Sequence, residues 1–204
     1  NVNLNAQTEY VGGEVEDLGS GVRVQIQGEL TGGVVNAEKI TFLDNAKVES
    51  DVASNQDGLS PLSLTLTLTA FPDLTIVYNE ITKVTGAVDT AQNITEDHHV
   101  KIIGRQTSKQ TMLAVHIIVK SGSDSKVILQ GPLQKLPDPL DGDSITVLDQ
   151  PVYLSTISDD NFESPEGVSV DYADFLQKLG ENDLIYLKGE QTNGGVPWQS
   201  VSTD

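Results

Sequence analysis

A threefold repeat is the feature that most constrains the fold of this chain. The stretches VRVQIQG, HVKIIG and LIYLKG carry alternating aliphatic residues and end at Gly28, Gly104 and Gly189. An aliphatic residue lies ten positions before each glycine, at Leu18, Ile94 and Leu179, and the position nine or ten after it is Ala37, Ala114 or Trp198. Such self-similarity at a long period predicts an array of similar units, each built around a glycine-bent hairpin.

The spacing of the glycines sets the unit boundaries. We place the units at residues 1–44, 45–121 and 122–204, and the longer spacing in the third unit indicates an acidic insertion near 158–167. AKVESDVASNQ from residue 46 resembles SKVILQGPLQK from residue 125, and both are predicted to open their units as strands. The first unit has no such opening strand, which predicts the C-terminal half of a barrel.

The remaining pattern is all-β. Leu62, Leu64, Leu66 and Leu68 alternate with Ser and Thr, which indicates a strand with one buried face, and DSITVLDQPVYL indicates a second hairpin. Only residues 169–180 favour a helix, with Ser169 or Asp171 as the cap and Gly180 as a left-handed terminus. We therefore expect tandem small OB-like β-barrels, the first one incomplete, with a two-sheet sandwich as the alternative.

Composition excludes several classes of partner. The 30 acidic and 12 basic residues give a net charge of -18, which repels nucleic-acid phosphates and anionic lipid surfaces. The chain has no cysteine, and no apolar run reaches the roughly 20 residues of a membrane-spanning helix. Because the sequence opens on Asn1 without a leader, we expect a mature or trimmed fragment of a soluble protein.

The stretch TEYVGGEVEDLGSGVRVQIQGELTGGVVNAEKI resembles a bacterial exported domain of unknown function that occurs in tandem. The matching residues are Thr8, Tyr10, Leu18, Gly21, Val22, Val24, Gly28, Ala37 and Ile40. The second unit lacks the glycine that matches Gly21, and the third has Trp198 in place of the alanine. The resemblance implies a β-barrel-like fold and a periplasmic, outer-membrane-associated or extracellular location, and it supplies no activity.

Motifs for catalysis are missing from the sequence. There is no Gly-x-Ser-x-Gly elbow and no nucleophile and base at a partner spacing. His98, His99 and His116 lack a ligand spacing, and neighbouring residues of a strand point to opposite faces, so we interpret the histidines as structural. We expect no enzymatic activity and no required cofactor.

Two sets of residues in the third unit are candidates for ligand binding. This unit has a net charge of -11, and a weak calcium site is predicted either at Asp138, Asp141 and Asp143 or at Asp159, Asp160 and Glu163. Solvated acidic loops are the alternative interpretation. The unit also concentrates aromatic residues, and Tyr186, Trp198 and Tyr153 are candidates for contacting a carbohydrate or a peptide. For Tyr186, coverage by a neighbouring unit is the alternative.

These observations favour a non-enzymatic exported module that serves as a spacer or interaction surface of a bacterial envelope protein. The alternative is a ligand-binding barrel for carbohydrate or calcium in the third unit. The missing strand of the first unit also predicts an open sheet edge, paired or buried by a second copy of the chain or by residues near 46–52.

Overall fold

The computed structural model describes residues 1–18, 22–56, 64–80, 82–138, 144–164, 167–180, 183–193 and 195–203. The strands of the first unit are β1 (Val2–Asn3), β2 (Glu9–Val11), β3 (Val24–Thr31) and β4 (Val34–Phe42). Those of the second are β5 (Ala46–Gln56), β6 (Leu64–Leu68), β7 (Thr75–Tyr78), β8 (Lys83–Gly86), β9 (His98–Ser108) and β10 (Thr111–Ser121).

The third unit has strands β11 (Lys126–Asp138), β12 (Ser144–Val147), β13 (Gln150–Tyr153), β14 (Phe162–Glu163), β15 (Ser169–Val170), β16 (Leu184–Glu190) and β17 (Trp198–Thr203). Its helix α1 spans Tyr172–Lys178, and short 3-10 turns lie at Val15–Asp17, Ala91–Asn93, Leu154–Thr156 and Asp159–Asn161. None of the described helices is both long and apolar enough to span a membrane. The prediction of a mostly β, repeat-like fold is confirmed.

The three glycine-bent hairpins are equivalent, as the sequence repeat predicts. In each hairpin the glycine lies opposite the residue that follows it by nine or ten positions in the repeat. The pairs are Gly28–Ala37, Gly104–Ala114 and Gly189–Trp198, and a β-bulge adjoins each of them. A Cβ at Gly28 would lie 2.0 Å from the carbonyl oxygen of Asn36, and one at Gly104 would lie 2.0 Å from that of Leu113. The glycines are therefore required by the close approach of the opposite strand at the bulge.

The second unit closes on itself through strand pairing. Its strands follow the ring β5–β6–β7–β10–β9 and back to β5. The contact between β7 and β10 is parallel and the others are antiparallel. The alternating aliphatic residues face the interior of this ring, where Leu66, Ile76 and Ile102 are fully buried.

The units are not separate barrels in a row. β11 of the third unit pairs antiparallel with β5 of the second, and thirteen strands form one sheet in a solenoid-like stack. The prediction of separate barrels is wrong, because β5 and β11, the opening strands of the second and third units, pair with each other. Ala46 lies opposite Gly104, and Val127 lies opposite Gly189, so Ala46 and Val127 are structural counterparts. The sequence match aligned Ala46 with Ser125, which is two residues earlier.

The hydrophobic core is shared by the second and third units, and a smaller cluster of Ala37, Ile40 and Phe42 lies in the first. Helix α1 begins after Asp171, whose side chain accepts a hydrogen bond from the Asp174 amide, so the predicted cap is correct. Gly180 does not adopt a left-handed conformation; its amide donates to Asp183 Oδ2 at 2.7 Å instead.

The first unit forms its own four-stranded sheet, in which β1, β2 and β3 all pair with β4. No other described strand pairs with β3. The prediction that residues near 46–52 cover its edge is wrong, because β5 pairs with β9, β6 and β11. Coverage by a second copy stays a prediction.

The leucines of β6 provide a test of the period-two pattern. Leu66 and Leu68 are fully buried while Thr65 and Thr67 are half-buried on the other face; Leu62 and the side chain of Leu64 lie outside the described residues. We expect Leu66→Asp to reduce the free energy of unfolding by roughly 3–5 kcal/mol, because it buries a charge in an apolar core. Thr65→Asp should cost less than about 1 kcal/mol. Equal losses in urea unfolding would contradict this assignment of faces.

Candidate functional site

A groove of about 510 Å³ lies between β13 and β17 in the third unit. We call it the Tyr153–Trp198 groove, because these two predicted ligand-binding residues line it together. Its other lining residues come from the loop after β6, from β13 and its following turn, and from the segment before β17: Ala70, Phe71, Gln150, Pro151, Thr156, Thr192, Val196 and Pro197.

The groove lies where the third unit fails to close. In the second unit β7 pairs with β10 from Thr75–Thr111 to Val77–Leu113, whereas no described ladder joins β13 to β17. By strand register, Pro151 of β13 occupies the position that Thr75 occupies in β7. Pro197, just before β17, likewise occupies the position of Leu113 in β10. Proline has no N–H to donate to a ladder, so both edges of the gap are poorly suited to pairing with each other.

Aromatic rings form the walls of the groove. Trp198 occupies the place of the smaller Ala114, and it stacks on the buried Phe71 with the ring centroids 6.4 Å apart and the planes inclined by 21°. The side chain of Tyr153 is 53% exposed. The second unit thus contributes Phe71, whose ring stacks against that of Trp198. The sequence analysis missed Phe71 because it lies in a different unit from the other aromatic candidates.

The polar groups of the groove are neutral. Gln150 lines it, and the Nε2 of Gln150 is buried with no hydrogen-bond partner among the described residues. The Thr156 hydroxyl donates to the Tyr153 carbonyl at 2.7 Å. An aromatic platform can stack on an uncharged ligand, and the described lining residues include no acid–base pair and no nucleophile with a base.

Tyr186 does not join the other two aromatic residues. It is half-buried in a separate cleft of about 210 Å³, lined by Gly13 and Glu14 of the first unit as well as by residues of the second and third. The ammonium groups of Lys47 and Lys188 lie 5.9 and 5.3 Å from its ring centroid. Burial and the nearby carboxylates, chiefly Glu14, raise the pKa of Tyr186 to about 12.

The predicted calcium ligands are described only in part. Asp159, Asp160 and Glu163 are exposed, in and after a 3-10 turn. Asp141, Asp143 and the side chain of Asp138 lie outside the described residues. Over the part of the chain that the structure describes, no three His, Cys, Asp or Glu residues are grouped to hold a metal ion. Calcium binding stays a prediction.

Buried ion pairs at the unit junctions are functional candidates that the sequence analysis did not single out. Asp17 of the first unit is fully buried and lies 2.7 Å from the Nζ of Lys47 and 2.8 Å from that of Lys101, both in the second unit. Burial alone would raise the pKa of Asp17, but the two ammonium groups outweigh it and lower the pKa. Asp44 likewise binds Arg23 and, across the junction, Arg105.

Glu49 on β5 is the centre of the second junction. Its carboxylate lies 2.8 Å from Lys120 Nζ, 3.0 Å from Lys126 Nζ of the third unit and 3.2 Å from His99 Nε2. Burial opposes the charged form of Glu49, but these three partners hold its pKa well below the usual range. Each carboxylate oxygen of Glu49 lies within 3.2 Å of a basic side chain, and the contact with Lys126 connects β5 to the third unit.

The histidines of this region titrate in opposite directions. Burial disfavours the charged form of His99, but its hydrogen bonds to Glu49 and Asp51 outweigh burial and raise its pKa above 6.5. Burial, with the charge of Lys83, lowers the pKa of His116, whose Nε2 lies 2.9 Å from the Thr85 hydroxyl. The structural interpretation of the histidines is consistent with these contacts.

Titration by NMR should separate the two histidines. We expect a midpoint above pH 6.5 for His99 and below pH 6.5 for His116. Because the folded-state pKa of His99 is raised, its contribution to stability is present below pH 6.5 and is lost as the pH rises through the raised value. The lowered pKa values of Asp17, Asp44 and Glu49 give stability above about pH 4 that is lost on acidification. Titration midpoints near pH 6.5 for both His99 and His116 would contradict the contacts of His99 with Glu49 and Asp51.

The comparisons with known proteins cover the first unit only. Residues 1–41 match the family model described as a domain of unknown function (DUF5666), which ends just before the last residue of β4. No curated protein and no solved structure gives a significant match. The chain is thus similar, over its first sheet, to a family whose description states no activity.

Proposed function

We propose that the chain is a non-enzymatic repeat module that acts as a rigid spacer or interaction surface of an exported bacterial envelope protein. The observation that carries this proposal is the junction chemistry. Asp17 and Glu49 each bind lysines of a neighbouring unit, and Gln130 of the third unit donates to the carbonyl oxygens of Gly12 and Asn45 at 2.9 and 3.0 Å. Buried, paired contacts of this kind fix one unit relative to the next.

The strand order supports an OB-like unit as the repeated element. In the second unit the opening strand β5 lies between β6 and β9, and the third core strand β7 lies parallel to the fifth, β10. This is a five-stranded ring of the kind that OB-type barrels form. The third unit follows the same order through β12, β11, β16 and β17, with the Tyr153–Trp198 groove in place of the closing ladder.

Location outside the cytoplasm is supported by the resemblance of residues 8–40 to an exported domain. The described lining residues of the Tyr153–Trp198 groove include no nucleophile with a base, which is consistent with the proposed non-enzymatic role. Turnover of an ester, glycoside or peptide substrate that one point substitution abolishes would contradict this role.

Rigidity between the first two units can be measured directly, because the natural chain has no cysteine and accepts a single pair of spin labels. We expect labels at Glu38→Cys and Lys109→Cys, both exposed, to give one narrow distance distribution. Asp17→Asn should broaden it, since it leaves the buried ammonium group of Lys47 without its carboxylate.

The matched control is Glu9→Gln, which removes an exposed ion pair to Lys39 within the first unit and should leave the distribution unchanged. A broad distribution in the unsubstituted chain would contradict the spacer. A broadening by Glu9→Gln equal to that by Asp17→Asn would show that the junction contacts do not hold the units.

A second candidate function is binding of a neutral carbohydrate in the Tyr153–Trp198 groove. The specific observation is that the Trp198 ring, stacked on Phe71, lines one groove together with Tyr153 and Gln150. Sugar rings present an apolar face that stacks on aromatic rings and hydroxyls that pair with amides. The described lining residues are all uncharged, so they offer an anionic ligand no ion pair.

The single tryptophan gives this candidate its own fluorescence probe. We expect titration with a panel of neutral oligosaccharides to change Trp198 emission saturably, and Tyr153→Ala to weaken binding about tenfold through lost stacking. Tyr153→Phe should retain most of the affinity, because it keeps the ring. Calorimetry with calcium tests the cation separately. No heat on titration with calcium and no change in Trp198 emission with any of the oligosaccharides would count against ligand binding.

A further inference from the structure

The turn between β12 and β13 holds two residues in a backbone conformation that side chains disfavour. Leu148 and Asp149 have φ angles of 51° and 59°, in the left-handed region. A two-residue turn of this kind matches the twist of a hairpin, but asparagine and glycine are the residues that usually form it. Other residues keep such angles only where their surroundings fix them, so we examined what holds this turn in place.

Leu148 fixes the turn to the core of the third unit. Its side chain is fully buried, and it lies against Gly131 of β11. A Cβ at Gly131 would lie 2.8 Å from Leu148 Cδ2, so the glycine leaves the space that Leu148 occupies. The first residue of the turn is therefore held by packing inside its own unit.

Asp149 fixes the turn to the second unit. Its Oδ2 accepts hydrogen bonds from the Gln110 amide, at 2.8 Å, and from Gln106 Nε2. Gln134 of β11 completes the network, because its Oε1 accepts from the Asp149 amide at 2.7 Å and its Nε2 donates to Gln106 Oε1 at 2.9 Å. Asp149, Gln106 and Gln134 thus form a closed ring of hydrogen bonds across the junction of the two units.

Gln110 relates this network to the segment that contains Phe71. Gln110 lies in the β9–β10 turn with a φ angle of 52°, so it too has the left-handed conformation. Its amide donates to Asp149, and its carbonyl oxygen accepts from the Thr75 amide at 2.9 Å. Thr75 begins β7, four residues after Phe71, whose ring stacks on that of Trp198. The second unit therefore contacts both walls of the groove.

We propose that Asp149 is a positioning residue of the Tyr153–Trp198 groove, and that its carboxylate holds the start of β13 on the second unit and so sets the spacing between β13 and β17. No described ladder joins these two strands, so their spacing has to be set by contacts elsewhere. The proposal deepens the ligand-binding candidate above and rests on it for any effect on affinity. The spacing itself can be measured without a ligand.

Two substitutions separate the hydrogen-bond acceptor from the backbone conformation. Asp149→Asn and Asp149→Gly both permit a positive φ, but only Asp149→Asn keeps a side-chain oxygen that can accept from Gln110 and Gln106. We expect hydrogen exchange of the Gln110 amide, followed by NMR, to become about tenfold faster in Asp149→Gly and to stay unchanged in Asp149→Asn. Thermal unfolding followed by circular dichroism checks that both variants fold.

The spacing of the groove walls is read from a bimane label at Tyr153→Cys, whose emission tryptophan quenches on contact. The chain has no other cysteine and a single tryptophan, Trp198, so the quenched fraction reports on this one pair. We expect Asp149→Gly to change the quenched fraction roughly twofold, because β13 is no longer held, and Asp149→Asn to restore the original value. Gln106→Ala removes one donor to Asp149 and should give a smaller change in the same direction.

Faster exchange of the Gln110 amide with unchanged quenching in Asp149→Gly would overturn the positioning role, because the contact would be lost without moving the groove wall. Equal changes of quenching in Asp149→Gly and Asp149→Asn would also overturn it, since the effect would then follow the charge and not the acceptor.

Affinity is measured in chains that keep Tyr153, with the neutral oligosaccharide that changes Trp198 emission most. We expect Asp149→Gly to bind it roughly fivefold more weakly and Asp149→Asn to bind it as the unsubstituted chain does, because a preorganised groove loses less entropy on binding. A changed quenching in a chain that binds no oligosaccharide would support the positioning role and contradict the ligand-binding candidate. The two proposals therefore fail separately.

Discussion

The rest of the structure depends on strand β5, because this one strand contacts all three units. One side pairs with β9, and the other pairs with β11 and then β6. Lys47 and Glu49 flank the buried Val48, and their side chains, which would point to solvent in an isolated barrel, instead reach Asp17 and Lys126 of the neighbouring units. Burying these charges is tolerable only when each has its partner, so the pairing sets the relative positions of the units.

The differences between the units follow from how far each ring closes. The second unit closes through the parallel contact of β7 with β10, and aliphatic side chains dominate its interior. In the third, two prolines and the bulk of Trp198 replace that contact with a groove. In the first, the buried cluster of Ala37, Ile40 and Phe42 lies beside Val2 and Ile26, which are 45% and 37% exposed. The described strands of the three units thus form a closed ring, a ring interrupted by a groove and a separate sheet.

Much of the fold could be predicted because it rests on local periodicity. The alternation before Gly28, Gly104 and Gly189 places the hairpins, and their register pairs each glycine with the predicted residue on the next strand. The site was predicted only in part: Tyr153 and Trp198 meet in one groove, whereas Tyr186 lies in another cleft. The contact of Phe71 with Trp198 could not be predicted, since the two residues lie in different units and more than a hundred positions apart in the sequence.

The sequence by itself determined the β class, the repeat-like organisation and the faces of the strands, because side-chain alternation and close backbone approach act over a few residues. Only the tertiary structure decided that the units share a sheet, that the charges of β5 face neighbouring units rather than water, and that residues 46–52 leave the edge of β3 free. The physical reason is that a strand has two edges and two faces, and its sequence does not encode which distant strand occupies each of them.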